Sequence, residues 1–152
     1  MTHEYRATIR WNAEGDVAKG QYSRGHDWVF DGATVRGSAS PQVVPPPFSV
    51  KAAVDPEEAF VASLSSCHML FFVDLARRAG FPAASYRDEA VGLMTTDAGR
   101  TWVARVDLNP VVTWSGKVPS VAEVAKLHDK AHHLCFIANS VKTEVVVNQP
   151  DG

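Results

Sequence analysis

Between Asp55 and Gly80 apolar residues recur at spacings of three and four, and Phe60, Leu64, Cys67, Phe71 and Leu75 fall on one helical face. Val61, Met69, Leu70, Phe72 and Val73 make the other faces apolar as well, so this helix is expected to be buried on most sides. Both ends are marked. Asp55 is an N-cap residue, Pro56 suits the first helical position, and Glu58 completes a capping-box pair. Glu57 and Glu58 favour the positive end of the helix dipole, Arg77 and Arg78 the negative end, and Gly80 is the expected C-cap. Cys67 sits in the middle of this helix, either as an inert core thiol or as a reactive one.

On either side of the helix the period changes to two. Tyr5, Ala7, Ile9 and Trp11 alternate with Arg6, Thr8 and Arg10, which predicts a half-buried strand over residues 4–12. Gln21 to Asp31 predicts a second strand, with Tyr22, Arg24, His26, Trp28 and Phe30 on one face. Arg24 is there either solvated and stacked on its neighbours or directed into a site as a cation. A short strand is expected over residues 33–39, then a connector over 40–53 with prolines at 41, 45, 46 and 47. After the helix, residues 85–95 and 100–112 read as a hairpin about Thr96-Asp97-Ala98-Gly99, with Pro110 interrupting the second strand. Ser120 and Glu123 form an S-x-x-E capping box, and Val121, Val124, Leu127, His128 and Ala131 make the buried stripe of a second helix ending near His133. Residues 141–148 close the chain as a strand. Strands, helix, strands, helix, strand is an α+β order rather than a wound parallel sheet.

A chain of 152 residues suggests one domain, and 45% hydrophobic residues suffice for a core without covalent staples. The formal net charge of -2 indicates neither a nucleic-acid partner nor an anionic membrane. No apolar run is expected to span a bilayer, and no signal peptide is read at the start. Two cysteines do not make a secreted disulfide scaffold. The expected compartment is the cytoplasm, where a disulfide would be catalytic.

The chemistry therefore rests on Cys67 and Cys135, each beside histidine. A reactive thiol must ionise, and a neighbouring arginine, which stays charged when partly buried, favours the thiolate. Cys67-His68 and His132-His133-x-Cys135 also supply zinc-type donors. Adjacent helical residues point about 100° apart, however, and there is no C-x-x-C pair, so the spacing is weak evidence for a metal, which stands as a third reading with none expected. G-x-S-x-G, G-x-x-x-x-G-K and G-x-G-x-x-G are all missing from the sequence, which argues against serine hydrolase and nucleotide chemistry.

D-P-E-E at Asp55–Glu58, A-S-L-S-S-C-H-M at Ala62–Met69 and A-H-H-L-C-F-I-A-N-S-V at Ala131–Val141 resemble the OsmC-like family, which includes the organic hydroperoxide resistance proteins. The order of elements fits that family along nearly the whole chain. The resemblance implies a single α+β domain over residues 1–152, with antiparallel sheets around two long central helices in an intertwined homodimer. It implies a thiol peroxidase without a bound cofactor that reduces organic hydroperoxides to alcohols. Cys67 matches the peroxidatic cysteine and Cys135 the resolving one; Glu57 matches the family's glutamate after proline, and Arg24 the arginine of an N-terminal strand. By that resemblance Arg24 stabilises the Cys67 thiolate, Cys67 becomes a sulfenic acid, Cys135 condenses with it, and an external dithiol, in related proteins a lipoyl group, resets the disulfide. Glu57 and Cys67 are ten residues apart, about 15 Å along a straight helix, so Glu57 would act from a partner chain or through Arg24. Phe136 stands where the hydroperoxide resistance branch usually has proline, and the loop before the helix is proline-rich rather than glycine-rich. The alternative is a non-catalytic redox-sensing or small-ligand-binding dimer of the same fold. The residues leave open which hydroperoxide and reductant are used, and whether His26, His68, His132 or His133 takes part.

Overall fold

Alternation at the N-terminus makes strands, but shorter ones than the pattern predicts. In the computed structural model, which describes residues 2–149, the chain divides into two compact units, the first ending at Ala59 and the second beginning at Phe60. In the first unit β1 (Thr8–Arg10) pairs antiparallel with β4 (His26–Val29), and β4 pairs antiparallel with β5 (Thr34–Gly37). A small separate hairpin joins β2 (Gly15–Asp16) to β3 (Gln21–Tyr22). β1 is exposed on both faces rather than half-buried.

The single strand expected over residues 21–31 is thus two, broken at Ser23–Gly25. The backbone there finds other partners: Ser23 N–H donates to Glu14 O at 2.9 Å, and Arg24 N–H to Phe48 O at 2.8 Å in the proline-rich connector. Gly25 lies close under the Arg36 guanidinium at the break, so a side chain there would displace that group. Arg24 consequently lies between strands, not within one. The connector itself has neither helix nor strand, as its prolines dictate, and Ser38 Oγ accepts from Val50 N–H at 3.0 Å beneath it.

α1 (Pro56–Arg78) opens on the expected capping box: Glu58 N–H donates to Asp55 Oδ1 at 2.8 Å, and Asp55 N–H to Glu58 Oε2 at 3.2 Å. It ends with Gly80 at φ 90°, where Phe81 N–H reaches Ala76 O at 2.9 Å and Gly80 N–H reaches Arg77 O at 3.0 Å. That pairing is a Schellman closure, and Phe81 packs on Ala76 as such closures favour. The burial differs from expectation. Leu64, His68, Phe72 and Ala76, every fourth residue, form the buried stripe; Cys67 stands at its margin and Leu70 is 63% exposed. Contrary to the expectation from sequence, α1 has the length and apolarity of a membrane-crossing helix, with a window of mean hydropathy 1.6. Its stripe is instead packed against protein on both sides.

The hairpin expected over residues 85–112 splits between two sheets. β7 (Val91–Asp97) and β8 (Arg100–Leu108) form an antiparallel hairpin, and β10 (Glu144–Val147) runs parallel to β8 on its other edge, so this sheet is mixed rather than wholly antiparallel. β6 (Ala83–Asp88) pairs antiparallel with β9 (Pro110–Trp114) in a second sheet. Asp88 anchors the switch, accepting from Ser65 Oγ at 2.5 Å and from Asn109 N–H at 2.6 Å. Pro110, with no N–H to donate, begins β9, where a ladder bond is not needed.

α2 (Val121–Leu134) starts at the Ser120–Glu123 capping box. Its buried residues are Leu127, His128 and Ala131; Val121, expected inside, is 62% exposed. Two clusters hold the unit together. Phe72, Ala76, Phe81, Leu127 and Ala131 join α1 to α2 over Tyr86, Val112 and Trp114 of the β6–β9 sheet. Leu64, Val106 and Leu108 join α1 to the mixed sheet, with Val145 and Val147 of β10.

Candidate active site

α1 places Cys67 on the edge of its buried stripe because the stripe follows His68, one residue on and about 100° around. The Cys67 thiol is half-buried and opens into a cavity of about 490 Å³. Ser63, Ser66, Leu70, Phe71 and Asp74 of α1 line it, with Phe136 across from them. The Phe71 and Phe136 rings meet edge to face with centroids 5.0 Å apart. Asp74 at one end is neutralised by Arg77 Nη2 at 2.8 Å and Arg78 Nε at 2.9 Å. The Arg77 hydrogen bond first, with the charge of Arg78, holds its carboxyl below the usual range. The wall facing the thiol is mostly apolar.

Cys135 follows the last residue of α2 and is 1% exposed. Its side chain neighbours that of Cys67, and both cysteines are free thiols. Burial first, and the neighbouring Cys67 thiol second, push the Cys135 thiol up to about 11, while backbone N–H groups of Ala138 and Ile137 pull the other way. Ala138 N lies 3.4 Å from Cys135 Sγ. One thiol is thus reached from outside, and a second waits behind it, out of water.

The other two residues singled out by sequence lie elsewhere in the chain. Arg24 donates to Tyr22 O at 2.6 Å and Gly20 O at 3.2 Å, and its guanidinium lies 3.5 Å over the Tyr22 ring. This is the stacked arrangement rather than a carboxylate pair. Glu57 is half-buried on the first turn of α1. Among the described residues neither forms an ion pair.

The histidines sort into distinct roles. His26 is structural: Trp28 Nε1–H donates to its Nε2 at 2.7 Å, so its Nδ1 carries the proton and donates to Arg24 O at 2.8 Å. His133 is exposed. His68 and His128 form a buried pair, with Nε2 of one 3.0 Å from Nδ1 of the other and rings stacked within 9° of parallel. Phe72 stacks on His128 at 4.0 Å. Burial first, and a neighbouring histidine second, lower both to about 4, so the pair is neutral near pH 7. His132 Nδ1 is buried without a hydrogen-bond partner among the described residues. Sequence reasoning placed His128 in the α2 stripe without seeing its partner. The available signal was one histidine on the apolar stripe of each helix. Among the described residues no group of three or more His, Cys, Asp and Glu converges as a ligand set for a metal.

The arrangement can carry two-thiol redox chemistry, and comparisons with known proteins place the chain in a family. The model of the family described as OsmC-like protein matches residues 49–149. An OsmC-like protein of unknown function from Vibrio cholerae is 47% identical and superimposes with a TM-score of 0.94, over 97% of this chain and 99% of that one. Organic hydroperoxide resistance proteins from Legionella pneumophila and Elizabethkingia anophelis share the fold at 17% identity. Their TM-scores are 0.67 over 97% of both chains and 0.68 over 98% of this chain and 96% of that one. No protein of curated function matches. The two-helix α+β architecture, the matched segment spanning both cysteines and the near full-length relative together make this chain a member of the OsmC-like family.

Proposed function

We propose that the protein is a cysteine-based peroxidase that reduces organic hydroperoxides to alcohols. The observation that carries this reading is the pairing of an accessible Cys67 with a buried neighbouring Cys135, at the foot of an apolar cavity. The Cys67 thiolate attacks the terminal peroxide oxygen. The O–O bond breaks, the alkoxide leaves as alcohol after taking a proton, and Cys67 becomes a sulfenic acid. Cys135 then attacks the Cys67 sulfur and expels water, forming a Cys67–Cys135 disulfide. An external dithiol, a lipoyl group for example, restores both thiols by exchange. Arg24 is the cation assigned to the thiolate and Glu57 the carboxylate that orients it. To act so, Arg24 must give up its stack on Tyr22, and Glu57 must work through Arg24 or from a partner chain.

The reading takes the whole chain as one OsmC-like domain acting in the cytoplasm as an intertwined homodimer built around its helices. Unpartnered apolar surface supports the dimer: Leu70 is 63% exposed, Phe136 69%, and Val91, Leu93 and Met94 of β7 each 49%. A monomer mass by light scattering at micromolar concentration overturns that part.

The experiment for the activity is a thiol count with intact mass, before and after one equivalent of cumene hydroperoxide. Loss of both thiols with loss of two hydrogens supports the peroxidase. The second reading, a redox sensor or small-ligand-binding dimer, is favoured by the raised Cys135 thiol, which slows condensation. Two thiols intact after minutes decide for it.

A further inference from the structure

A polar pair in an apolar core is expensive unless its hydrogen bonds are made. His68 and His128, 1% and 2% exposed, are such a pair. Their contact is the one side-chain hydrogen bond between α1 and α2 among the described residues. It is directional where the surrounding Phe72, Ala76, Leu127 and Ala131 contacts are not. Apolar side chains tolerate a helix sliding by part of a turn; a 3.0 Å bond between stacked rings does not. Phe72, stacked on the far face of His128, fixes that ring. The groups facing the pair are His132 of α2 and Asp88 of β6, and Asp88 is itself tied to Ser65 of α1.

The pair is also placed where the chemistry needs register. His68 is next to Cys67 in α1. His128 precedes Cys135 by seven residues, two helical turns or about 10 Å on nearly the same face. We propose that the His68–His128 contact is the clamp that sets α2 against α1 so that Cys135 meets an oxidised Cys67, which makes both histidines positioning residues for disulfide formation. This rests on the peroxidase reading. In the step concerned the Cys135 sulfur attacks the sulfur of Cys67–OH, the S–O bond breaks, the S–S bond forms, and hydroxide leaves with the Cys135 proton as water. Peroxide attack on Cys67 takes place on the cavity side and does not involve the clamp.

The test separates the two steps. Wild type, His128→Leu, His68→Leu and His128→Asn are each given one equivalent of cumene hydroperoxide and trapped with dimedone at intervals. Intact mass then divides Cys67 between disulfide, trapped sulfenic acid and sulfinic acid. The leucine variants keep the volume and remove the bond; asparagine puts an amide where Nδ1 stood. The expected result is Cys67 oxidation within about twofold of wild type in all four proteins, with disulfide formation at least about tenfold slower in the leucine variants, as small misplacements of reacting atoms cost. His128→Asn recovers most of the wild-type partition. Leucine variants that condense as fast as wild type overturn the clamp, as does an equal fall in both steps or an asparagine variant no better than leucine. Should one leucine variant fail to melt cooperatively, the other carries the test. Wild type inert to the peroxide is a distinct outcome, which overturns the peroxidase reading and the clamp with it.

Discussion

Cys67 and Cys135 are neighbouring free thiols, yet Cys67 opens to the cavity while Cys135 is shut from solvent at 1% exposure. On the peroxidase reading proposed above, this asymmetry sets the order of events: an oxidant reaches Cys67 first, and Cys135 reacts with what Cys67 has become. Replacing Cys135 with Ser leaves that first event and removes the second. One equivalent of peroxide then gives a sulfenic acid trapped by dimedone, and excess gives sulfinic acid on Cys67, read by peptide mass. A Cys135→Ser protein that still loses two hydrogens contradicts the assignment.

Arg24 gives its Nη1 donors to the Gly20 and Tyr22 carbonyls and lays its face on the Tyr22 ring. If it is nevertheless the cation of the site, Arg24→Ala slows stopped-flow oxidation by cumene hydroperoxide at least about tenfold, the equivalent of roughly 1.4 kcal/mol of transition-state stabilisation. An unchanged rate leaves Arg24 with a folding role in its loop.

The buried histidines give stability a direction with pH. Both stand at about 4 in the folded chain against an ordinary 6.5, so the unfolded chain takes up protons first as pH falls. Stability is full above about pH 6.5 and is lost as pH falls from there towards 4, with a slope of about 1.4 kcal/mol per pH unit for each proton bound on unfolding. Urea midpoints measured from pH 8 to 4.5 should be flat and then decline. In His68→Leu/His128→Leu the decline should be shallower; an identical slope would place the proton uptake elsewhere.

Phe72 is fully buried, stacks on His128 and touches Tyr86 and Trp114. Phe72→Ala opens a cavity between α1, α2 and the β6–β9 sheet, and about 3–5 kcal/mol of unfolding free energy is expected to go with it. Chemical denaturation measures this directly, and a loss under about 1 kcal/mol would mean the two helices are held from elsewhere.

Local signals were legible in the residues alone. Asp55–Glu58 and Ser120–Glu123 form both capping boxes, Gly80 closes α1, and Pro110 marks where one strand ends and another begins. These succeed because a cap or a missing N–H acts within one turn of chain. The cysteine motifs likewise pointed to the OsmC-like family, and the matched segment contains both.

Longer-range choices were not legible. Period two put Tyr22 to Phe30 on one strand face, but Arg24 N–H found Phe48 O, and the strand broke around it. The period of the α1 pattern was right and its phase was wrong. Phe60, Leu64, Cys67, Phe71 and Leu75 fit a helical stripe as well as Leu64, His68, Phe72 and Ala76 do, and only the surfaces that α1 meets distinguish them. With apolar side chains on nearly every face, hydrophobicity alone carries no preference for rotation about the axis. The buried stripe of Leu64, His68, Phe72 and Ala76 fixes the rotation that packing selects, and Cys67 is left at its margin, open to the cavity. The sequence by itself determined the two helices and their caps and pointed to the family; the packing of α1 against its neighbours decided which thiol faces solvent, because exposure depends on neighbours far away in the chain.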